Sequence, residues 1–452
     1  MSAERGKMDC LIFYELVERS YENDLLIKLE LERRGFKVKL VNMYWRDFWK
    51  SFFYHPRIYV VPSCRDTNVM SALCSVPYKE AAWVNLQEEQ IGFSNEADIS
   101  IFLPQGRAKE AAHLCWGETA AGYMKRAGVR NEYIIPSGPV QFDLCSPRFK
   151  DYFYDKKYLA EEFGLDVNKK WILFASDFCT ISECQTEESL RYKMNRFGDF
   201  WKTMYDYETE CSEMLTEWWS RYLSTHDDTI FIYRPHPSEY QSIGRIEELE
   251  KKHDNFVCIK KYSIKQWIHV ADAFTTWISS SVMEAFYLGI PCFALGKEKG
   301  IIDSGLAIAL FRRDRYITDY ELFEKAMDDP SAMSSEWNPV NKEEAERIYG
   351  KKTDVPAYIG ICDYLEALLR DKERLKKMRV RLTKEEKRLE LGTKLTYVKT
   401  TLYNDTVCRI WRLLCVLMPW KKKNIIKYKD SLSRFDRRFL RDKEDRLRRI
   451  TG

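Results

Sequence analysis

Nowhere in its 452 residues does the chain hold an uninterrupted apolar run of the ~18–20 residues that a membrane-spanning helix needs. Its start, MSAERGKMDCLIFYEL, turns apolar only at Cys10 and is charged again by Glu15, so it reads as a first strand and not as a secretory signal or anchor. The thirteen cysteines form no Cys-x-x-Cys pair and no framework spacing, and Cys10, Cys258 and Cys292 fall inside expected strands or helices. That pattern argues against disulfides and zinc and for buried thiols in a reducing cytoplasm, which makes the Asn404-Asp405-Thr406 sequon accidental. Acidic residues are scarce in the tail: residues 370–452 carry 27 Lys and Arg against 11 Asp and Glu, a balance of +16, although the whole chain is only +4. A mildly acidic body with a strongly basic tail implies an anionic partner, either nucleic acid or a phospholipid surface.

What the sequence does have is alternation. CLIFYEL (10–16) is an apolar strand, Tyr21 to Arg34 is an amphipathic helix closed by Gly35, and FKVKLVNM (36–43) is a second strand. This β-α-β opening starts a doubly wound parallel sheet. Further strands are expected at Arg57 to Val61, Ala81 to Asn85, Ile99 to Leu103 and Glu132 to Ile135, with helices at Thr67 to Cys74 and Glu118 to Gly128. WILFASDF (171–178) begins a second sheet, to which FIYR, FVCIK, AFTTWI and PCFAL add strands. The expected fold is α/β, with two Rossmann-like domains facing a cleft (the GT-B outline) and a basic helical C-terminal tail. We divide it into an N-terminal Rossmann-like acceptor domain over 1–142, a linker over 143–170 and a nucleotide-donor domain over 171–350. Bracing and charged helices over 351–404 and a basic amphipathic tail over 405–452 complete the chain.

Two strand exits carry the chemistry. The strand Thr229 to Tyr233 stops at Arg234-Pro235-His236-Pro237, leaving a cation and an imidazole at a C-terminal end, the edge where open α/β sheets bind ligands. The strand Ala273 to Ile278 runs into Ser279, Ser280 and Ser281 and then a helix through Val282, Ala285, Phe286 and Leu288, which offers hydroxyls and backbone N–H groups to a phosphate. Each has a plain structural reading: a His between prolines can be only a rigid turn, serines before a helix only a cap, Glu284 only a charge favourable to the dipole. Their joint occurrence in one sheet favours a site for a phosphorylated nucleotide.

Arg-Pro-His-Pro-x-Glu (Arg234, His236, Glu239), with Ser279-Ser280-Ser281-x-x-Glu284-Ala285-x-x-x-Gly289-x-Pro291 beyond it, resembles the HP and SS motifs of bacterial surface-polysaccharide transferases. Capsule Kdo-transferases, polysialyltransferases and, more distantly, CDP-glycerol glycerophosphotransferases share them. The opening β-α-β and WGETAAGYMKRAGV…IIPSGPVQFD are similar to proteins of surface carbohydrate biosynthesis, which often carry Arg-Glu where this chain has Arg19-Ser20. The resemblance covers about residues 9 to 300. It implies that His236 and Ser279 to Ser281 hold the donor's phosphates, with Glu284 near the ribose, and Arg234 would add a cation. Donors fixed on the departing phosphate lower the barrier with no metal and no cofactor required. The sequence accordingly contains no Asp-x-Asp, the metal-holding signature of the competing GT-A architecture.

For the acceptor side, a proton acceptor or nucleophile is needed. Candidates are carboxylates at strand ends: Glu15, Glu18, Asp66, Glu88, Glu89, and Asp177 in the second domain, with Glu18, Glu89 and Asp177 preferred. In VCRIWRLLCVLMPWKKKNIIKYK (407–429), Trp411 and Trp420 suit headgroup depth and Lys421, Lys422 and Lys423 suit anionic lipid; core packing is the alternative. The stretch RFDRRFLRDKEDRLRRI reads as a solvated basic helix, and Gly350 to Leu369 as a helix returning to brace the first domain. The expectation is a cytoplasmic glycosyltransferase peripheral on the inner face of the cell membrane, moving a sugar from a nucleotide-linked donor, with a CMP-linked one the candidate, to a glycan or lipid-linked acceptor. A glycerophosphotransferase, a sugar-nucleotide epimerase, or a non-catalytic scaffold binding membrane or nucleic acid are the alternatives, nucleic acid being the less expected partner.

Overall fold

A computed structural model describes residues 7–43, 51, 54–65, 81–91, 103–239, 243–297, 307–351, 353–380 and 437–452. Trp411, Trp420, Lys421, Lys422 and Lys423 lie outside the described residues, as do Asp66, the expected helix Thr67 to Cys74 and most of the expected strand Ile99 to Leu103. The chain divides into two units, the first built from residues 1–92, 96–144 and 346–452 and the second from 93–95 and 145–345.

The first unit holds six parallel strands: β1 (Lys7–Tyr14), β2 (Val38–Asn42), β3 (His55–Val61), β4 (Ala82–Asn85), β5 (Ala112–Cys115) and β6 (Ile134–Pro136), in the order β2-β1-β3-β4-β5-β6. Both faces of such a sheet are covered, so its strands need apolar residues at every position. Cys10, Leu11, Ile12 and Phe13 are all fully buried. On one face Phe13, Tyr59 and Trp83 form a row across β1, β3 and β4, with ring centroids 6.1 Å and 5.2 Å apart. Burying each such ring is worth roughly 1.5–3 kcal/mol.

Helix α1 (Glu22–Arg33) follows β1, and α2 (Glu118–Arg126) joins β5 to β6. In the second unit α3 (Cys179–Glu183) and α4 (Phe200–Leu223) lie between β7 (Lys170–Ala175) and β8 (Thr229–Arg234). After β9 (Phe256–Cys258) and β10 (Ala273–Thr276) comes α5 (Val282–Leu288), followed by β11 (Cys292–Leu295) and β12 (Tyr316–Ile317). This second parallel sheet runs β12-β11-β10-β7-β8-β9. The two Rossmann-like domains expected from the alternation are therefore present.

Residues past 345 return to the first unit. Gly350 sits at φ +79°, and a Cβ there would stand 2.6 Å from the Trp116 carbonyl oxygen; one on Gly117 would stand 2.4 Å from that of Arg347. Only glycines allow the two backbones to cross so closely. Helix α6 (Ala357–Arg370) then packs on α1, its first two N–H groups donating to the Asp143 carboxylate at 2.9 and 2.8 Å and its Asp363 and Glu366 receiving Arg34. The last helix, α7 (Arg437–Thr451), differs from the solvated helix its composition suggests. Lys443 is buried in an ion pair with Glu22, Lys28 meets Glu444 at 2.6 Å, Arg448 meets Glu32 at 2.9 Å, and Leu447 is fully buried. Several of its basic charges are answered by the acidic face of α1.

Candidate active site

Ala175 at the end of β7 is the register partner of Thr276 on one side and Arg234 on the other, so three strands end at one level. The chain moves outward from β7 through β8 and β9 and then crosses back to β10. The boundary between β7 and β10 is thus where strand order reverses, the place where open α/β sheets bind ligands. Asp177 and His236 stand two residues past this level, and Ser279 three. With strands ~4.8 Å apart, the turns of His236 and Ser279 are separated by about 10 Å across β7, a span that one phosphorylated ligand covers.

His236 is anchored through Nδ1. Its Nδ1 accepts the Ser238 backbone N–H at 3.1 Å and lies 3.2 Å from Cys179 Sγ and 3.9 Å from an Asp177 carboxylate oxygen. Cys179 Sγ is also 3.2 Å from Asp177. A neutral imidazole that accepts at Nδ1 carries its proton on Nε2, so the ring is a donor at its far nitrogen. Among the described residues, Asp177, Cys179 and His236 are the group whose donor atoms, all within 4.8 Å of one another, could hold a metal ion. In this geometry the Ser238 N–H already takes the Nδ1 lone pair, so the cluster is a hydrogen-bonded one.

The turn is framed by two buried carboxylates. Glu239, 3 % exposed, accepts the N–H of His236 at 2.9 Å, the N–H of Phe178 at 3.2 Å and the Tyr233 hydroxyl at 3.0 Å. One side chain thereby ties the β7 exit to the β8 exit. Burial raises its pKa, and the donors around it hold that rise back. Glu208, on α4, accepts the Thr180 hydroxyl at 2.6 Å and the Ile181 N–H at 2.9 Å, fixing the start of α3, and burial raises its pKa strongly.

Arg234 departs from the expected role. Its guanidinium donates to the carbonyls of Ile259 and Tyr262, so this cation braces the loop after β9. The serine run also differs from a free phosphate cradle. The Ser279 N–H donates to Thr276 Oγ1 at 2.9 Å and the Ser281 N–H to Ser279 Oγ at 3.3 Å. With α5 only seven residues long, its dipole is short, and what the three half-buried serines offer is chiefly hydroxyls. Glu284 stands in the first turn of α5 and is buried.

The carboxylates proposed for the first unit separate into rim and interior. Past β1, the N–H groups of Arg19, Ser20 and Tyr21 all point at the Leu16 carbonyl, a single widened turn of the π type over Val17–Tyr21. That turn carries Glu18, which is half-buried, and places Arg19 3.3 Å from Glu89, with side chains 41 % and 47 % exposed. Behind this rim Glu15 and Glu88 are half-buried, and Asp24, in the first turn of α1, is fully buried against Glu88. Burial raises all three pKa values, Glu88 to about 7.

Sequence reading passed over Asp24, Cys179, Glu208 and the bonding of Glu239. Glu239 alone carried a signal, as the last residue of Arg-Pro-His-Pro-x-Glu. Asp24 and Glu208 lie on helices distant in sequence from what they touch, and Cys179 meets His236 only once β7 and β8 pair.

No family model matches the chain, and no curated protein matches it. Solved structures similar to it include the wall teichoic acid polymerase TagF (10 % identity, 80 % of this chain and 90 % of that one, TM-score 0.48). S. aureus MnaA solved with UDP (12 %, 80 % and 97 %, TM-score 0.47) and a UDP-GlcNAc 2-epimerase from Methanocaldococcus jannaschii (11 %, 79 % and 100 %, TM-score 0.45) are others. Likeness at this level carries no argument about chemistry.

Proposed function

We propose that the chain is a glycosyltransferase that binds a nucleotide-linked sugar at the exits of β7, β8 and β10 and transfers the sugar to a growing bacterial surface glycan. The observation that carries the reading is the orientation of His236: anchored through Nδ1 at a topological switch point, it presents its other nitrogen as a donor. When a sugar leaves its nucleotide, negative charge grows on the departing phosphate, and fixed N–H and O–H donors stabilise that charge more than the ground state. His236 and the hydroxyls of Ser279, Ser280 and Ser281 are those donors, and no metal is needed for them to act. Glu284 serves the ribose, and Glu239 and Glu208 act only by holding the turns in place. A CMP-linked acidic sugar is the donor that the HP and SS resemblance favours.

Isothermal titration with CMP, CDP, UDP and GDP tests the reading. Binding of at least one, weakened about 10- to 100-fold by His236→Ala, is the expected result, since a hydrogen bond to a charged group contributes ~1.5–3 kcal/mol. Absence of binding by all four, or binding indifferent to His236→Ala, overturns it and favours the scaffold.

A further inference from the structure

The first unit contains a feature that phosphate binding leaves unused. Asp24 is fully buried, and among the described residues no N–H or O–H donor reaches either of its carboxyl oxygens. An ionised carboxylate so placed would carry a large desolvation cost with nothing to offset it. The group that faces it is the carboxyl of Glu88, whose Oε1 is likewise buried and reached by no N–H or O–H donor among the described residues. Two carboxyls can hydrogen-bond to each other only when a proton lies between them.

Position then gives the pair a direction. Asp24 is sealed inside, whereas Glu88 is half-buried at the exit of β4, beside Glu15 at the exit of β1 and beneath the Arg19–Glu89 ion pair. The pair thus stands at the ligand-binding edge of a parallel sheet, with Glu88 the less deeply buried of its two members. We propose that Asp24 and Glu88 share one proton near neutral pH and that Glu88 takes a second from a hydroxyl of a polyhydroxylated acceptor bound at the exits of β1 and β4. This inference rests on the transferase reading.

The step balances. The acceptor O–H bond breaks, its proton passes to the Glu88 carboxylate, and the electron pair stays on the acceptor oxygen. As that oxygen bonds to the sugar carbon, the bond from that carbon to the phosphate breaks with its pair going to the phosphate. Asp24 keeps the original proton throughout and is a positioning residue; Glu88 is the catalytic one. The groups facing the pair are Glu15, whose charge opposes ionisation, Arg19, whose charge favours it, and the Ser20 hydroxyl. Burial and Glu15 together push Glu88 up to about 7, in the range a general base needs.

The test is a carboxyl ¹³C NMR titration of full-length wild type, Asp24→Asn and Glu88→Gln, with nucleotide titration on the same samples. Turnover is followed by release of nucleoside phosphate from whichever nucleotide-linked sugar has a nucleotide that binds. The expected result is a carboxyl titrating above pH 6 in wild type that is lost in Glu88→Gln and moves down by at least one pH unit in Asp24→Asn, whose amide can donate. Glu88→Gln should bind nucleotide as wild type does and lose turnover ~100-fold or more. In Asp24→Asn the acid limb of the pH–rate profile should follow the shifted titration. Ionisation of both carboxyls below pH 6 overturns the inference, as does normal turnover by Glu88→Gln. Failure of nucleotide binding in wild type would instead remove the transferase reading, while the titration still decides whether the pair shares a proton.

Discussion

The C-terminal edges of the two sheets use buried carboxylates in opposite ways. At the second sheet Glu239 and Glu208 are each saturated by N–H and O–H donors, and their work is to hold turns. At the first sheet Asp24 is just as deeply buried and meets no such donor, only another carboxyl. Burial alone therefore does not separate framework from chemistry; hydrogen-bond satisfaction does. The same contrast recurs within one helical turn of α1, where Glu22 is answered by Lys443 and Asp24 by nothing basic among the described residues.

Removing Glu239 should break the framework side of that comparison most severely. Glu239→Ala leaves the His236 N–H without its acceptor, at about 1–3 kcal/mol, and takes one of two acceptors from the Phe178 N–H and the Tyr233 hydroxyl, which keep Ser176 Oγ, at about 0.5–1.5 kcal/mol each, so urea unfolding should show a loss of roughly 3–5 kcal/mol. A loss under ~1 kcal/mol would place Glu239 outside the framework. Lys443→Met comes next in size. Breaking a buried pair strands Glu22 and should cost about 3 kcal/mol, whereas Lys443→Met combined with Glu22→Met should recover most of it. Equal stability of the single and double variants would mean that α7 contributes nothing at this contact.

His236→Ala should be much milder for stability, within ~1 kcal/mol by urea unfolding, because the ring is half-exposed. Its cost falls on ligand binding. Asp24→Asn should be the smallest effect at pH 6 and change sign with pH. Glu88 has a folded-state pKa raised to about 7 against an ordinary value of 4.5, so the folded state binds the extra proton and stability falls as pH climbs between them. Wild type should therefore lose several degrees of melting temperature between pH 5 and pH 8, and Asp24→Asn should lose less. A parallel decline in both proteins would contradict the shared proton.

Both parallel sheets could be read from the sequence because β1, β7, β8 and β10 are buried on both faces and so are written as continuous apolar runs. His236 and the serines were visible for the same reason: an apolar run stopping at polar residues marks a strand exit. β5, Ala112–Cys115, was not visible, since Ala-His-Leu-Cys has no β-branched residue and is too short for a pattern. The contacts of Arg234 with the Ile259 and Tyr262 carbonyls were not legible, because the spacing that puts a cation at a strand end does not say which way a side chain turns. Asp24 and Glu88 lie far apart in sequence, so their contact exists only once β1, β3 and β4 pair and α1 folds back over them. The docking of α7 on α1 was hidden by composition, which shows seven basic residues in Arg437–Thr451 but not the glutamates that receive them.

In the proposed transferase His236 meets the donor phosphate through Nε2 while Nδ1 stays on the Ser238 N–H. Imidazole ¹⁵N NMR of the full-length protein, with and without the tightest-binding nucleotide, measures this directly. The expected result is a ring protonated at Nε2 whose Nε2 resonance shifts on nucleotide binding while Nδ1 hardly moves. A proton on Nδ1 instead, or an Nε2 resonance unmoved by saturating nucleotide, would contradict it.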